Sequence, residues 1–284
     1  MSPKKGKLTR VAIEQEGGEF EGMAAKELLK DDFQLVECNR FSGVFSNLEG
    51  GRVDAAIVPI ENQTSGGYTE VYTLLLEHNV FITGEAEVRV VLCLVGLGAG
   101  DLSKIERIHA HPDALAQCHN FLRKKPWELV PSYNMDEVLL KLQRTGNRNV
   151  AAITGKPLAK KFDLKIFKEG IQDYPWNVTR FLLLAKERTN PEGANKTTIA
   201  FKAKHVPGAL FGCLEGFAKE KLNMTDLVSL PVRDDPRNYA FFVDFEGNVA
   251  DANVQSCLRI VEDRAAFVRV IGCYKAARTS SKPE

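Results

Sequence analysis

The sequence predicts an α/β domain followed by a ferredoxin-like β-α-β-β-α-β unit. Three observations carry that expectation. Compact apolar runs such as VDAAIVPI and VTRFLLLAKE alternate with amphipathic stretches through residues 1–190, the rhythm of strands interleaved with helices. A break rich in Pro, Gly and Asn, RTNPEGANK at 188–196, then interrupts it. Six further elements follow in the ferredoxin-like order. The length of 284 residues suits two domains, at roughly 100–200 residues each. The expected division is a first domain at 1–190, a linker at 191–195, a second domain at 196–278 and a disordered tail at 279–284.

TRVAIEQ reads as a short strand, and Gly22 to Lys30 as an amphipathic segment. VDAAIVPI fits a strand buried on both faces, and YTEVYTLLLEH a helix. FITGEAEVRVVLCLVGL is long and β-rich, as expected of a strand crossing between two lobes. IERIHAH is a further strand, and PDALAQCHNFLRKK a helix with Pro112 in its first turn, where the missing N–H does no harm. VAAITG and VTRFLLLAKE complete a mostly parallel α/β pattern. After the break come TTIAFKAK (strand), GALFGCLEGFAKEKL (helix), DLVSLPVR and YAFFVDFEG (strands), VQSCLRIVEDRAAF (helix) and VRVIGCYK (strand).

Composition removes several function classes. With 38 Lys+Arg against 37 Asp+Glu, the net charge is +1, which gives no electrostatic basis for nucleic-acid binding. No apolar run approaches the roughly 20 residues of a membrane span. The N-terminal MSPKKGKLTR has no apolar signal core, so a cytoplasmic location is expected, with a plastid left open if a transit peptide preceded Met1. The six cysteines are scattered with no C-x-x-C pair, which argues for small buried hydrophobes rather than a zinc or redox site.

Polar residues cluster at the carboxyl ends of strands, where open α/β sheets bind ligands. Glu61, Asn62 and Thr64 follow VDAAIVPI, His109 and His111 end IERIHAH, and Asn177, Thr179 and Arg180 surround the start of VTRFLLL. Gly66-Gly67 allows close backbone approach or makes a plain turn. Bland readings stand beside these. Glu61 and Asn62 also suit helix capping, Thr179 an ordinary strand position and Arg180 a surface charge. The two histidines lack a third ligand, so no metal is expected. The residues alone indicate a small-molecule site.

RVDAAIVPIENQTSGGYTEVYTLLLEH, HPDALAQCHNFL and GIQDYPWNVTRFLLLAKE resemble the prephenate dehydratase and arogenate dehydratase family. PGALFGCLEGFAKEKLNMTDLVSLPVRDDPRNYAFFVDFEG resembles the ACT regulatory domain that follows there. The resemblance spans residues 9–275 and is closest to plant-type arogenate enzymes. It implies a two-lobed periplasmic-binding-like catalytic domain and cofactor-free loss of water and carbon dioxide from a cyclohexadienyl acid, prephenate or arogenate. Thr179 is then the donor to the leaving hydroxyl, with Glu61, Asn62 and Gln117 as catalytic companions. Arg180 is the implied carboxylate anchor, and Phe181, Glu19, Phe20, Thr64, Gly66 and Ala110 complete the substrate site. Phenylalanine is the implied effector, held by Gly208, Ala209, Leu210, Asn223, Leu227 and Ser229 in a homodimer or homotetramer.

The chain also departs from the family pattern. Where the family motif reads G-P-x-G-T-F-S, Gln15 to Glu21 reads QEGGEFE, placing Glu19 and Glu21 at hydroxyl positions. Gln63 and Ala110 replace serines, and Asp113 a glutamine. Added carboxylates repel a dianionic acid but suit the ammonium of arogenate, so arogenate is the expected preference. Acids facing solvent at a helix N-terminus are the bland alternative. In the regulatory segment V-S-L-P, Val228 to Pro231, replaces E-S-R-P, so weakened feedback is expected. A divergent relative, either a non-aromatising prephenate decarboxylase or a ligand-binding protein, is the alternative function.

Overall fold

A computed structural model describes residues 8–15, 18–30, 32–98, 102–232 and 235–277. The tail expected at 279–284 lies outside the described residues. The first lobe comprises β1 (Thr9–Glu14), α1 (Gly18–Leu29), β2 (Phe33–Cys38), α2 (Phe41–Glu49), β3 (Ala55–Asn62), β4 (Gly66–Gly67), α3 (Thr69–Glu77) and β5 (Phe81–Arg89). The second holds β6 (Cys93–Gly96), β7 (Arg107–Ala110), α4 (Pro112–Gln117), α5 (His119–Leu122), β8 (Glu128–Pro131), α6 (Met135–Thr145), β9 (Val150–Thr154), α7 (Lys156–Lys161) and β10 (Lys165–Glu169). β11 (Val178–Ala185) returns the chain to the first lobe. The C-terminal unit is β12 (Lys196–Ala203), α8 (Ala209–Lys219), β13 (Met224–Val232), β14 (Asp235–Glu246), α9 (Ala252–Arg264) and β15 (Ala265–Tyr274).

One sheet runs β13-β14-β12-β15-β5-β11-β3-β1-β2 with β4 on β3, and the other β10-β6-β9-β7-β8. The C-terminal four strands pair antiparallel in the ferredoxin-like arrangement that the element order predicts. The first 190 residues differ from the mostly parallel expectation. β1 pairs parallel with β2 and β3, but β11 lies antiparallel to both β3 and β5. The reason is topological: β5 leaves the first lobe and β11 re-enters beside it, so the two must run in opposite directions. The long crossing strand is also broken. β5 and β6 belong to different sheets, with the chain changing lobe at 90–92. The helix expected over 112–125 divides at Cys118 into α4 and α5.

Each lobe buries both faces of its sheet. In the first, α1 covers Val11, Ile13 and Ile57, while α2 and α3 cover Ala12, Val58 and Ile60. The second lobe packs Leu94, Ile108 and Ile153 under α4 and α5, and Val95 and Ala152 under α6 and α7. The C-terminal sheet carries α8 and α9 on one face. Its other face meets α3 through Phe242, Ile271 and Tyr274 against Tyr72 and Leu75. β15 joins β5 at a single ladder pair, Gly272 with Ile82. A Cβ at 272 would collide with the Ile82 carbonyl oxygen, so only glycine permits this seam. All six cysteines are buried with free thiols. Among the described residues no helix is long and apolar enough to cross a membrane.

Candidate active site

β3 continues two residues past its apolar run to Asn62, and β11 begins at Val178, ahead of its apolar FLLL run, so strand alternation sorts their polar residues by face. Thr179 stands opposite Asn62, and Arg180 opposite Glu61. Asn62, Thr179 and Phe181 face a cavity of about 360 Å³ between the lobes, whereas Glu61 and Arg180 meet on the far side of the sheet. The cavity suits a small-molecule ligand in size.

Asn62 is the hub of the site. Its Nδ2 donates to Asn177 Oδ1 at 2.7 Å and to Thr179 Oγ1 at 2.8 Å. Its Oδ1 accepts from the Thr64 amide at 2.9 Å, the Thr64 hydroxyl at 2.6 Å and the Ser65 amide at 3.0 Å. These bonds fix which end of the amide faces Thr179. Asn177 in turn donates to Gln117 Oε1 at 2.7 Å, tying the hub to α4 in the second lobe. Thr179 is buried; among the described residues its oxygen accepts from Asn62 and its proton has no protein acceptor. That hydroxyl can therefore donate to a ligand.

The rest of the polar lining is largely acidic. Glu14, Glu19, Glu21, Glu70, Asp113 and Asp136 line the cavity, and its described lining contains no lysine or arginine. Glu19 reaches from α1 across to the second lobe, where Oε1 accepts from the Gly155 amide at 2.9 Å and the Thr154 hydroxyl at 3.1 Å. Its Oε2 is enclosed without a partner. Burial raises its pKa against the lowering effect of those donors. Glu21 is 1% exposed with neither oxygen hydrogen-bonded. Burial, then repulsion from Glu14, raises it well above the usual carboxylate range. Asp136 pairs with Lys161. Tyr68 is pushed up to about 12 by burial and by the charges of Asp113 and Glu21.

Several expectations meet their geometry here. Asn62, Gln117, Thr179, Phe181, Glu19 and Phe20 all line the cavity. Glu61 and Arg180 do not: alternation turns them away, and Arg180 spends its guanidinium on Asp244, Glu85, Asp226 and Glu61, so it is not an anchor at this cavity. Ala110 is wholly buried in the second lobe's core, and the neighbouring His111 lines the cavity instead. Thr64 acts behind the wall on Asn62, and Gly66 pairs with Asn62 in the β3–β4 ladder. The capping alternative for Glu61 and Asn62 fails because both lie within β3, and Tyr68 precedes α3. The solvent-facing alternative for Glu19 and Glu21 fails because α1 begins at Gly18, earlier than expected, and turns both inward. His109 bonds Ser132 at 3.0 Å, and among the described residues no cluster of three His, Cys, Asp or Glu could hold a metal. Tyr68, Glu14, Glu70, Asp136 and Thr154 were not foreseen at the site. Tyr68 and Glu70 lie inside the GGYTEVYTLLLEH stretch without being singled out there. Glu14, Asp136 and Thr154 come from segments with no motif, although the Asn134 and Gly146 caps of α6 are a local signal that places Asp136 in that helix's first turn.

A second cavity, of about 560 Å³, opens at the start of α8. Gly208, Ala209 and Leu210 line it together with Tyr239 and Phe241 of β14. Gly208 precedes α8 at φ +79°, a conformation suited to glycine. Asn223, Leu227 and Ser229 lie at or before the edge strand β13, outside this cavity and exposed.

The prephenate dehydratase family model matches residues 11–189. The chain belongs to the prephenate dehydratase family. Arogenate dehydratase/prephenate dehydratase 2 of Arabidopsis thaliana, chloroplastic, is 35% identical over 290 residues, covering 98% of this chain and 76% of that protein. The prephenate dehydratase of Arthrobacter aurescens, solved in complex with L-Phe, superposes with a TM-score of 0.85 at 28% identity, covering 98% of this chain and 92% of the other. GqqA, described as a novel type of quorum quenching acylase, superposes at 0.84 with 25% identity over 94% and 98% of the two chains. The prephenate dehydratase fold therefore also occurs in a protein described by a different chemistry.

Proposed function

We propose that this member of the prephenate dehydratase family is a carbon–oxygen lyase that removes water and carbon dioxide from a cyclohexadienyl acid in phenylalanine biosynthesis, with arogenate preferred to prephenate. The observation that carries the reaction is the Thr179–Asn62 pair. Asn62 donates to the threonine oxygen, which orients the threonine proton toward the cavity. There it donates to the ring hydroxyl as the C–O bond breaks. The electron pair of the breaking bond to the carboxyl carbon enters the ring, carbon dioxide departs and the aromatic product forms. The departing hydroxide leaves as water with the Thr179 proton, and solvent returns a proton to the threonine oxygen. No cofactor enters these steps.

The acidic lining supports the choice of substrate. At about 4 Å and intermediate dielectric, like charges cost on the order of a few kcal/mol, so a ligand with two carboxylates and no cation is disfavoured among Glu14, Glu70 and Asp113. An ammonium entering beside Glu19 and Glu21 would restore the charges that burial suppresses. The lining contains no serine or cysteine among the described residues, which speaks against acyl transfer through either nucleophile. By the same reading the C-terminal unit is an ACT domain, and the cavity at Gly208, Ala209 and Leu210 is its phenylalanine site. Exposed Asn223, Leu227 and Ser229 are available to complete that site from a second copy in a dimer or tetramer.

The test is product analysis on purified prephenate and arogenate. We expect an aromatic product, faster turnover of arogenate, and at least about a 100-fold lower rate for Thr179→Ala. Full activity in that variant removes Thr179 from the mechanism. Faster prephenate turnover overturns the substrate preference, and a decarboxylated but non-aromatic product favours the divergent decarboxylase.

A further inference from the structure

Neighbouring residues of β11 lead in opposite directions. Thr179 faces the cavity and accepts from Asn62. Arg180 enters a buried ionic network on the far face, built from both the first lobe and the C-terminal unit. Its guanidinium pairs with Asp244 of β14 and reaches Asp226 of β13 at 3.1 Å, Glu85 of β5 at 3.3 Å and Glu61 of β3 at 3.6 Å. Lys196 of β12 closes the network at 2.9 Å from Glu85 and 3.4 Å from Asp244. Thr198 donates to Asp244 at 2.7 Å, and Tyr72 of α3 donates to Asp226 at 3.3 Å.

Other directional bonds join the two units, from the Arg269 guanidinium of β15 to the Leu75, His78 and Val80 carbonyls and from the Ala277 amide to Glu85, but among the described residues only the network reaches β11 itself. The ladder between them is one residue pair, Gly272 with Ile82, and the shared apolar core resists separation without setting orientation. A planar guanidinium held by several carboxylates does set orientation, because its donors form a rigid fork. The backbone is continuous, so fixing residue 180 fixes residue 179. We infer that Arg180 is a positioning residue that ties the placement of Thr179 to the C-terminal unit, so that this unit sets the alignment of the hydroxyl against Asn62. The inference rests on reading Thr179 as the donor in dehydration. Misplacement of a reacting group by about 1 Å can cost about 100-fold in rate, so modest slack in the network is enough to be felt.

The experiment compares the full-length wild type with Arg180→Lys, which keeps the charge but loses the fork, and with Asp226→Asn. Asp226 is the network's outer arm, its side chain 26% exposed, so the second variant disturbs the fold less than the first. Two readouts are taken: kcat and KM on whichever acid is turned over, and the NMR signals of the Asn62 side-chain amide, which report directly on its bond to Thr179. The expected result is a kcat about tenfold lower in Arg180→Lys, a smaller fall in Asp226→Asn, KM within about twofold, and shifted Asn62 signals in both. Unchanged kcat with unmoved Asn62 signals in a variant of native melting behaviour overturns the inference. So does a rise in KM alone, which marks a binding role. If the wild type turns over neither acid, the dehydratase reading fails and the Asn62 signals alone decide the positioning role.

Discussion

Glu21 and Asp244 are both buried, at 1% and 6% exposure, yet burial leaves them in opposite states. Asp244 sits in the ionic network behind β11. Burial alone would raise its pKa, but Arg180, Lys196 and the Thr198 hydroxyl outweigh it and hold the carboxyl below the ordinary aspartate value. Glu21 borders the inter-lobe cavity with no hydrogen-bond partner, and burial together with Glu14 lifts it well above the ordinary glutamate value. The interior thus keeps a carboxylate ionised only where cations and donors converge on it. The network region is internally satisfied and gains nothing from a ligand. The cavity wall is unsatisfied, which is the state a binding partner can change.

The sharpest way to break this contrast is to remove Asp244. Asp244→Ala leaves Arg180 and Lys196 buried with part of their counter-charge gone, and such a loss costs about 3–5 kcal/mol. Urea denaturation at neutral pH should read a fall of that size, and a fall below about 1 kcal/mol would show the network to be slack. The pH dependence follows from the lowered pKa. Its stabilisation is present above the unfolded aspartate value, about 3.9, and is lost as pH falls below that through the folded value.

Glu21 should behave in the opposite sense. Between the unfolded glutamate value, about 4.3, and its raised folded value, the native state holds a proton that the unfolded chain has released. Stability from this group therefore falls as pH rises through that window. Glu21→Gln removes the titration without changing shape. At pH 8 it should be more stable than the wild type, which must there either hold a proton or bury a charge, and the difference should vanish near pH 4. Parallel stability curves across that range would mean that Glu21 is ionised in the fold.

The same contrast explains what was legible in the sequence. The six C-terminal elements and the apolar cores of β1, β3, β9 and β11 were readable because periodicity and turn residues are local signals. Asn62, Gln117 and Thr179 were readable through the E-N, H-P-D-A-L-A-Q and N-V-T-R-F segments. The face of each residue was not. Glu61 beside Asn62 and Arg180 beside Thr179 are adjacent letters, and only the extension of β3 after its apolar run and of β11 ahead of its own sends one of each pair to the cavity and the other to the network. The network itself draws on β3, β5, β11, β12, β13 and β14, a convergence set by tertiary folding that no local pattern announces.

The smallest expected effect lies between these extremes, at Glu19, whose Oε1 is satisfied and whose Oε2 is not. Thr154 is buried and donates the longer of the two bonds to Oε1, at 3.1 Å, while the Gly155 amide donates the other at 2.9 Å. Thr154→Val keeps the shape and removes one donor, so Glu19 moves further along the scale from the Asp244 condition toward that of Glu21. Because the backbone donor remains, the stability loss at neutral pH should be only about 0.5–1.5 kcal/mol. The Glu19 pKa, followed by carboxyl NMR, should rise, since a hydrogen bond that favours the charged form has gone. An unchanged pKa would assign the lowering at Glu19 to the backbone amides of Gly155 and Leu158 and would make the contact between α1 and the second lobe a backbone property, independent of the residue at 154.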